Sequence, residues 1–352
     1  MLAVKLCLLF FSLVIVSGCE SMRYYSQAVA GQLSLISKRQ DINDVINDNK
    51  TDALLKQRLQ QVQNMRLFAE KTLLLPVGDS YSSYVDIERD YVVWNVYAAQ
   101  ELSLKPKTWC FPITGCIAYR GYFSLEPARK KARELKDQGY DVQLGGVRAY
   151  STLGWFDDPV LNTFINDDEL ELAALLFHEL AHRQLYFKDD TGFNESFATA
   201  ISDIGLEQWI ALHPQRYNDK SFVNYLNKRK NYKRLTELLR QYRDKLALIY
   251  ADNALDDDSK RAHKRQFLLA LAQDYKALKV QLGTDRYDKW MANMNNAKLA
   301  NVNNYTGQVA DFKKLYALRE KDIALFYKDV LSLENLAVDE RAQALTDLVS
   351  GH

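Results

Sequence analysis

Two histidines four residues apart, His178 and His182, flank Glu179 in the run Phe177-His178-Glu179-Leu180-Ala181-His182. Four helical residues advance about 400°, so the two imidazoles stand one turn apart and about 40° from eclipsed. They can hold one cation on one helix face. Glu179 then lies beside that cation, where it can take a proton from a water. A short turn follows, and Asn194-Glu195 opens what reads as a returning helix. An antiparallel return brings its first turn back near His182, which makes Glu195 a third ligand and leaves the fourth position of one tetrahedral Zn2+ ion open. Asp203, eight residues on and about 80° further round the same side, can accept a hydrogen bond from a ligating imidazole and fix its tautomer. An H-E-x-x-H run alone also occurs by chance, with both histidines as satisfied core residues and Glu179 in an ion pair. Here the preceding residues, Leu170 to Phe177, are apolar nearly all round, so the helix from about Asp167 to Phe187 is expected to be buried. Buried imidazoles and a buried carboxylate require partners, and a metal supplies one to all three.

The elements that position this stretch follow from pattern. Ser21 to about Leu75 reads as helix, divided by a polar break at Asn43 to Thr51 and ended by Pro76-Val77-Gly78. Tyr91 to Tyr97 and Cys116 to Phe123 are β-branched and aromatic, which suits an antiparallel pair. Glu126 to Gln138 is a helix with Pro127 in its first turn and Gly139 just past its end. Asp141 to Tyr150 is a strand interrupted by Gly145-Gly146, which signals a bulge or a close backbone approach. Asn166 is the expected N-cap of the histidine helix, and the return helix runs from Asn194 to about Leu212. Beyond Pro214 helices are expected over Asp219–Tyr250, Asp257–Leu282, Arg286–Asn295 and Asp311–Leu333. Asp256 to Asp258 caps the second of these, and the polar stretch from Asn295 to Gly307 can form a loop feeding the site.

Composition sets the outer limits. The 352 residues carry 46 Lys and Arg against 45 Asp and Glu, with no basic tail and no nucleic-acid-reading motif, so a nucleic-acid partner is not indicated. Glycine and proline are scarce, at 14 and 6, as in a helix-rich chain with few long loops. Residues 1–18 read as an export signal: Lys5, an apolar run from Leu6 to Val16 too short to span a bilayer comfortably, then Val16-Ser17-Gly18-Cys19. That ending resembles a bacterial lipobox, in which Cys19 is acylated. The chain is then lipid-anchored in the cell envelope, facing the periplasm. Glu20, in place of Asp, favours the outer membrane by analogy with sorting signals. An ordinary secretory signal and a short membrane helix are the alternatives. Cys110 and Cys116 remain, six positions apart, and in an oxidising compartment read as a structural disulfide.

Taken together, HELAHRQLYFKDDTGFNESFATA, YRGYF at Tyr119 to Phe123 and GGVRAYSTLGWFDDP at Gly145 to Pro159 resemble a family of zinc-dependent aminopeptidases of bacterial lipoprotein type. H-E-x-x-H followed by N-E is also similar to the wider gluzincin metallopeptidases. The resemblance implies His178, His182 and Glu195 as ligands of one zinc ion and Glu179 as general base. The spacing to Glu195 is shorter than in the best-known gluzincins, and Thr199 stands where their second acid falls. The implied fold is α+β and predominantly α, with a small zincin-like antiparallel or mixed sheet packed on the histidine helix. Its expected divisions are a helical N-terminal segment (19–80), a catalytic core (81–213) and a helical C-terminal subdomain (214–352). In zinc peptidases of this kind peptide lies along a sheet edge, the place that Val147 to Gly154 would fill. An aminopeptidase also needs a carboxylate for the substrate ammonium, and Asp157 or Asp158 suits that role, with turn or capping duty as the plain alternative. Tyr305 is the first candidate for the oxyanion donor, with Tyr119 and Arg120 behind it as substrate contacts. The expected activity is hydrolysis of peptide or protein substrates. An endopeptidase acting on envelope proteins is the near alternative. A non-hydrolytic chaperone or assembly lipoprotein is the alternative from another class.

Overall fold

Among the described residues helices predominate, and the strands are short and divided among three small sheets. The computed structural model describes residues 22–111, 115–149, 157–217, 219–302 and 307–350. The expected export signal, Cys19 and Tyr305 lie outside them.

Helix α1 (residues 22–37) leads through strand β1 (Gln40–Asp41) into α2 (Ile42–Asn47) and α3 (Ala53–Lys71). The single break expected over Asn43 to Thr51 is therefore displaced, because residues 43–47 are helical and the chain breaks on either side of them. Capping explains this. The Asp41 carboxylate accepts from Asn43 N at 2.8 Å, and Asp52 accepts from Leu54 N and Leu55 N at 2.9 and 3.3 Å. Acids within a polar run thus start helices by satisfying amides that have no partner in the first turn.

Next come β2 (Ser83–Val85), β3 (Val93–Gln100), β4 (Trp109–Phe111), β5 (Gly115–Ile117), β6 (Arg120–Tyr122), α4 (Leu125–Asp137), β7 (Tyr140–Val147) and β8 (Val160–Leu161). One sheet has the order β6-β3-β7, antiparallel throughout, so β7 lies at its edge. The β3–β7 register is unbroken from Val93↔Val147 to Gln100↔Tyr140, so the glycine pair makes no bulge. It makes a close approach instead: a Cβ on Gly146 would lie 2.4 Å from the Tyr91 ring. The second sheet, β1-β2-β8, is mixed. The third is the β4–β5 hairpin, in which Cys110 faces Cys116 and the two are joined by a disulfide.

The centre of the molecule is α5 (Glu169–Gln184) and α6 (Thr191–Leu212). Around them are α7 (Asp219–Ala251), α8 (Asp257–Leu282), α9 (Asp288–Met291), α10 (Asn296–Ala300), α11 (Val309–Leu318), α12 (Ile323–Leu331) and α13 (Val338–Ser350). Asp256 caps α8, as its position suggests, accepting from Ser259 N. The helix expected over Asp311–Leu333 is two, because Glu320 and Lys321 adopt left-handed φ of 54° and 65° and Asp322 caps a new start. Only four residues of the Arg286–Asn295 expectation are helical.

Among the described residues three apolar clusters organise the packing. The main one extends from Leu35 to Val349 and takes in buried residues of α3, α5, α6 and α11 to α13. A second lies among α7, α8 and α10, with Leu239, Leu271 and Leu299, and a third joins the β6-β3-β7 sheet to α4. The Asn295 to Leu299 stretch serves this packing rather than a loop into the site. Fully buried Asn296 donates its amide N–H to Asp141 (2.8 Å) and its side chain to Glu101 O (2.7 Å), and Asn295 donates to Val142 O. Among the described residues no helix is long and apolar enough to cross a membrane.

Candidate metal centre

The histidine helix α5 is buried along its length, from Leu170 to His182. Its N-cap is Asp168 rather than the expected Asn166, and the Asp168 carboxylate is drawn off to Lys228 on α7 at 2.7 Å. Phe177 packs against Phe68 of α3 and Trp209 of α6, with ring centroids 5.4 and 6.4 Å apart. α6 runs back alongside, tied where Ser202 Oγ donates to Ala174 O at 2.8 Å. The antiparallel return expected from sequence is present.

The turn between these helices is held tightly. α6 begins at Thr191, with Asp190 as its N-cap accepting from Phe193 N at 3.1 Å. Asn194 is 2% exposed and clips the incoming chain, its Oδ1 accepting from Phe187 N (2.8 Å) and its Nδ2 donating to Phe187 O (2.7 Å). Arg341 of α13, itself buried, pairs with the Asp190 carboxylate at 2.5 Å and stacks over the Phe187 ring at 4.5 Å. Glu195 therefore follows directly on a residue fixed by two hydrogen bonds.

His178, His182 and Glu195 converge. The two Nε2 atoms are 3.3 Å apart, and Glu195 Oε2 and Oε1 lie 3.3 Å from His178 Nε2 and 3.5 Å from His182 Nε2. A tetrahedral ion with bonds of about 2.0–2.1 Å needs ligand atoms about 3.3–3.4 Å apart. The triangle has the edge length of a zinc site, so these residues fit a divalent metal. His182 is nearly buried, while His178 and Glu195 keep partial exposure, so the triangle opens to solvent on their side.

The electrostatics agree with a ligand set. Burial, with His178 as a second cause, lowers the His182 pKa to about 4 and keeps the ring neutral, the form that offers a lone pair. At His178 burial opposes the charged form, but the Glu195 hydrogen bond and the charges of Glu179, Glu195 and Asp203 outweigh it and raise the pKa. Glu195 is likewise disfavoured as an anion by burial, yet the His178 hydrogen bond and both imidazoles lower its pKa.

Glu179 is half-buried, and its charge is felt at both His178 and Tyr81. Asp203 departs from expectation. Its carboxylate pairs with Arg229 of α7, and among the described residues neither ligating imidazole bonds to it. A full guanidinium competes better for a carboxylate than a neutral imidazole N–H does. His182 Nδ1 is buried without a partner among the described residues.

Asp157 pairs with Arg183, the residue after His182, at 3.1 Å and keeps solvent access, whereas Asp158 is buried at 4% exposure. Tyr81 N donates to Asp158 O at 2.6 Å, and Tyr81 itself holds a left-handed φ of 57°. Tyr119 makes a ring contact with Tyr97 of β3, and Arg120 lies over the Tyr24 ring of α1 at 4.2 Å. Sequence reasoning missed Asn194, Arg183, Tyr81 and Arg341. Only Asn194 carried a signal, as the neighbour of the ligand at the start of the return helix.

A buried H-E-x-x-H helix, an antiparallel return helix carrying the third ligand and an adjacent glutamate define a metallopeptidase site. A family model described as "Putative aminopeptidase" matches residues 23–345, and the chain belongs to that family. No curated protein and no solved structure matches it.

Proposed function

We propose that the protein is a zinc-dependent aminopeptidase held at the periplasmic side of a bacterial outer membrane by an acylated Cys19. The observation that carries the catalytic part is the His178–His182–Glu195 triangle, with edges of 3.3 to 3.5 Å, directly beside Glu179. Two imidazoles and a carboxylate, with a fourth position left open, are a donor set that suits catalytic zinc. When bound, the ion supplies Lewis acidity to a peptide carbonyl and to a water.

The remaining steps belong to side chains of this protein. Glu179 takes the proton of the attacking water on its carboxylate and delivers it to the leaving amine. Asp157 receives the substrate ammonium in competition with Arg183; Asp158 is too deeply buried for that role. The strand edge from Val147 onward aligns the peptide by backbone pairing, since the Asp141–Val142 end of β7 is covered by Asn295 and Asn296. Tyr305 is the donor to the developing oxyanion. The apolar leader ending in Cys19 and the Cys110–Cys116 disulfide support export to an oxidising compartment.

Metal content and turnover on peptides with free and blocked N-termini, measured for wild type and Glu179→Gln, test the reading. Stoichiometric zinc, cleavage confined to free N-termini and loss of turnover in Glu179→Gln are expected. Equal cleavage of blocked peptides makes the protein an endopeptidase. Full zinc without turnover on a broad peptide panel makes it a non-hydrolytic assembly factor.

A further inference from the structure

α1 has two faces of different character. Tyr24, Gln27, Gly31 and Leu35 form the docked side. Tyr24 packs against Phe111 and Tyr122 with centroids 5.5 and 5.6 Å apart. The Gln27 side chain accepts from Phe123 N at 3.1 Å and donates to Gly121 O at 3.5 Å. Gly31 lies so close to Phe123 that a Cβ would meet its ring at 2.1 Å, and Leu35 is 4% exposed in the main core. That side is fully used.

The opposite side is apolar and open. Met22, Tyr25, Val29 and Leu33 are 74%, 42%, 59% and 59% exposed. Their spacing of three, four and four residues keeps them within an arc of about 80° over about 16 Å of helix. Single exposed apolar residues need no explanation, but a continuous strip calls for something to cover it.

We infer that this strip lies on the membrane surface, with α1 as a second point of attachment beside the lipid. The inference rests on the proposal that Cys19 is acylated. Met22 is three residues from Cys19, a reach of about 10 Å, so the lipid holds the strip against the headgroup region. The charge fits as well. Ser21 to Gln40 contains no Asp or Glu and carries Arg23, Lys38 and Arg39. Lys38 faces Glu88 at 3.8 Å and Arg39 donates to Asp157 O, while exposed Arg23 sits at the end nearest the anchor. An apolar strip on a helix without acids, with exposed Arg23 at its anchored end, suits a helix lying in an anionic lipid interface. A helix so seated, rigidly docked on β6, gives the peptidase a set orientation instead of leaving it swinging on a tether.

The test uses the full-length acylated protein in phosphatidylethanolamine–phosphatidylglycerol vesicles, with an environment-sensitive fluorophore on a single introduced cysteine. The native thiols do not interfere, since Cys7 leaves with the signal, Cys110 and Cys116 are disulfide-bonded and Cys19 is acylated. Labels at Val29→Cys and Leu33→Cys should shift to the blue and lose at least half their intensity to brominated lipid. A label at Leu248→Cys, on α7 and 74% exposed, should do neither. Acylated, vesicle-bound protein whose labels at 29 and 33 stay in water overturns the inference and leaves the anchor standing. A blue shift without quenching by brominated lipid also overturns it, in favour of a protein cover. An intact mass lacking the acyl group overturns the anchor and this inference together.

Discussion

Replacing Asn194 by alanine should loosen the metal centre without touching a ligand. The side chain satisfies both backbone groups of Phe187, the amide at 2.8 Å and the carbonyl at 2.7 Å, in a pocket where Asn194 is 2% and Phe187 4% exposed. Each backbone group stranded away from water costs about 1–3 kcal/mol, so the pair costs about 2–6 kcal/mol. Against a typical stability of about 5–15 kcal/mol this is a large share. At about 2–4 °C per kcal/mol, thermal unfolding should come roughly 5–20 °C earlier. Glu195 follows in sequence, so the freed turn also spreads the third ligand away from the histidines. Supporting contacts of this kind alter metal affinity by about 10- to 100-fold. Scanning calorimetry of metal-free and metal-loaded protein, with a competition titration against a chromophoric chelator, reads both effects. Wild-type melting would refute the hydrogen-bond accounting. Earlier melting with unchanged zinc affinity would refute the positioning of Glu195 by Asn194.

Glu195→Asp draws the carboxylate back by about 1.5 Å, one C–C bond length, and opens a triangle now closed at 3.3 to 3.5 Å. Metal content after dialysis should fall well below one ion per chain, and full retention would remove Glu195 from the ligand set. Glu179→Gln should keep its metal while kcat drops by roughly 10²–10⁴, the usual worth of a general base; a drop confined to KM would point to substrate binding instead. Gly146→Ala places a methyl 2.4 Å from the Tyr91 ring and should cost about 1–3 kcal/mol in a chemical melt. Adding Tyr91→Ala should recover part of that loss, and no recovery would put the strain elsewhere.

Local rules were legible where one residue type does one job. The H-E-x-x-H spacing, the Cys110–Cys116 pair, Gly139 after α4 and Asp256 before α8 all act within a few residues of themselves. Asp41 and Asp52 obeyed the same capping rule but were lost inside a polar run that read as a gap. Asp203 could not be read, because its partner Arg229 lies 26 residues away on another helix. Asn295 and Asn296 look like loop residues by type, yet they are spent on carbonyls and a carboxylate near β3 and β7, contacts that exist only after the chain has folded. Helix periodicity likewise continued through Glu320 and Lys321, where two left-handed residues end α11.

The Asp190–Arg341 pair joins residues 151 positions apart, and both are buried. During synthesis the histidines, the turn and Glu195 all emerge long before Arg341. Until α13 docks, the Asp190 carboxylate lacks its cation and Phe187 lacks the guanidinium stacked above it. The clamp on the turn before Glu195 is therefore complete only once α13 has docked. A protein lacking α13 keeps His178, His182 and Glu195 but leaves the turn that delivers Glu195 unclamped.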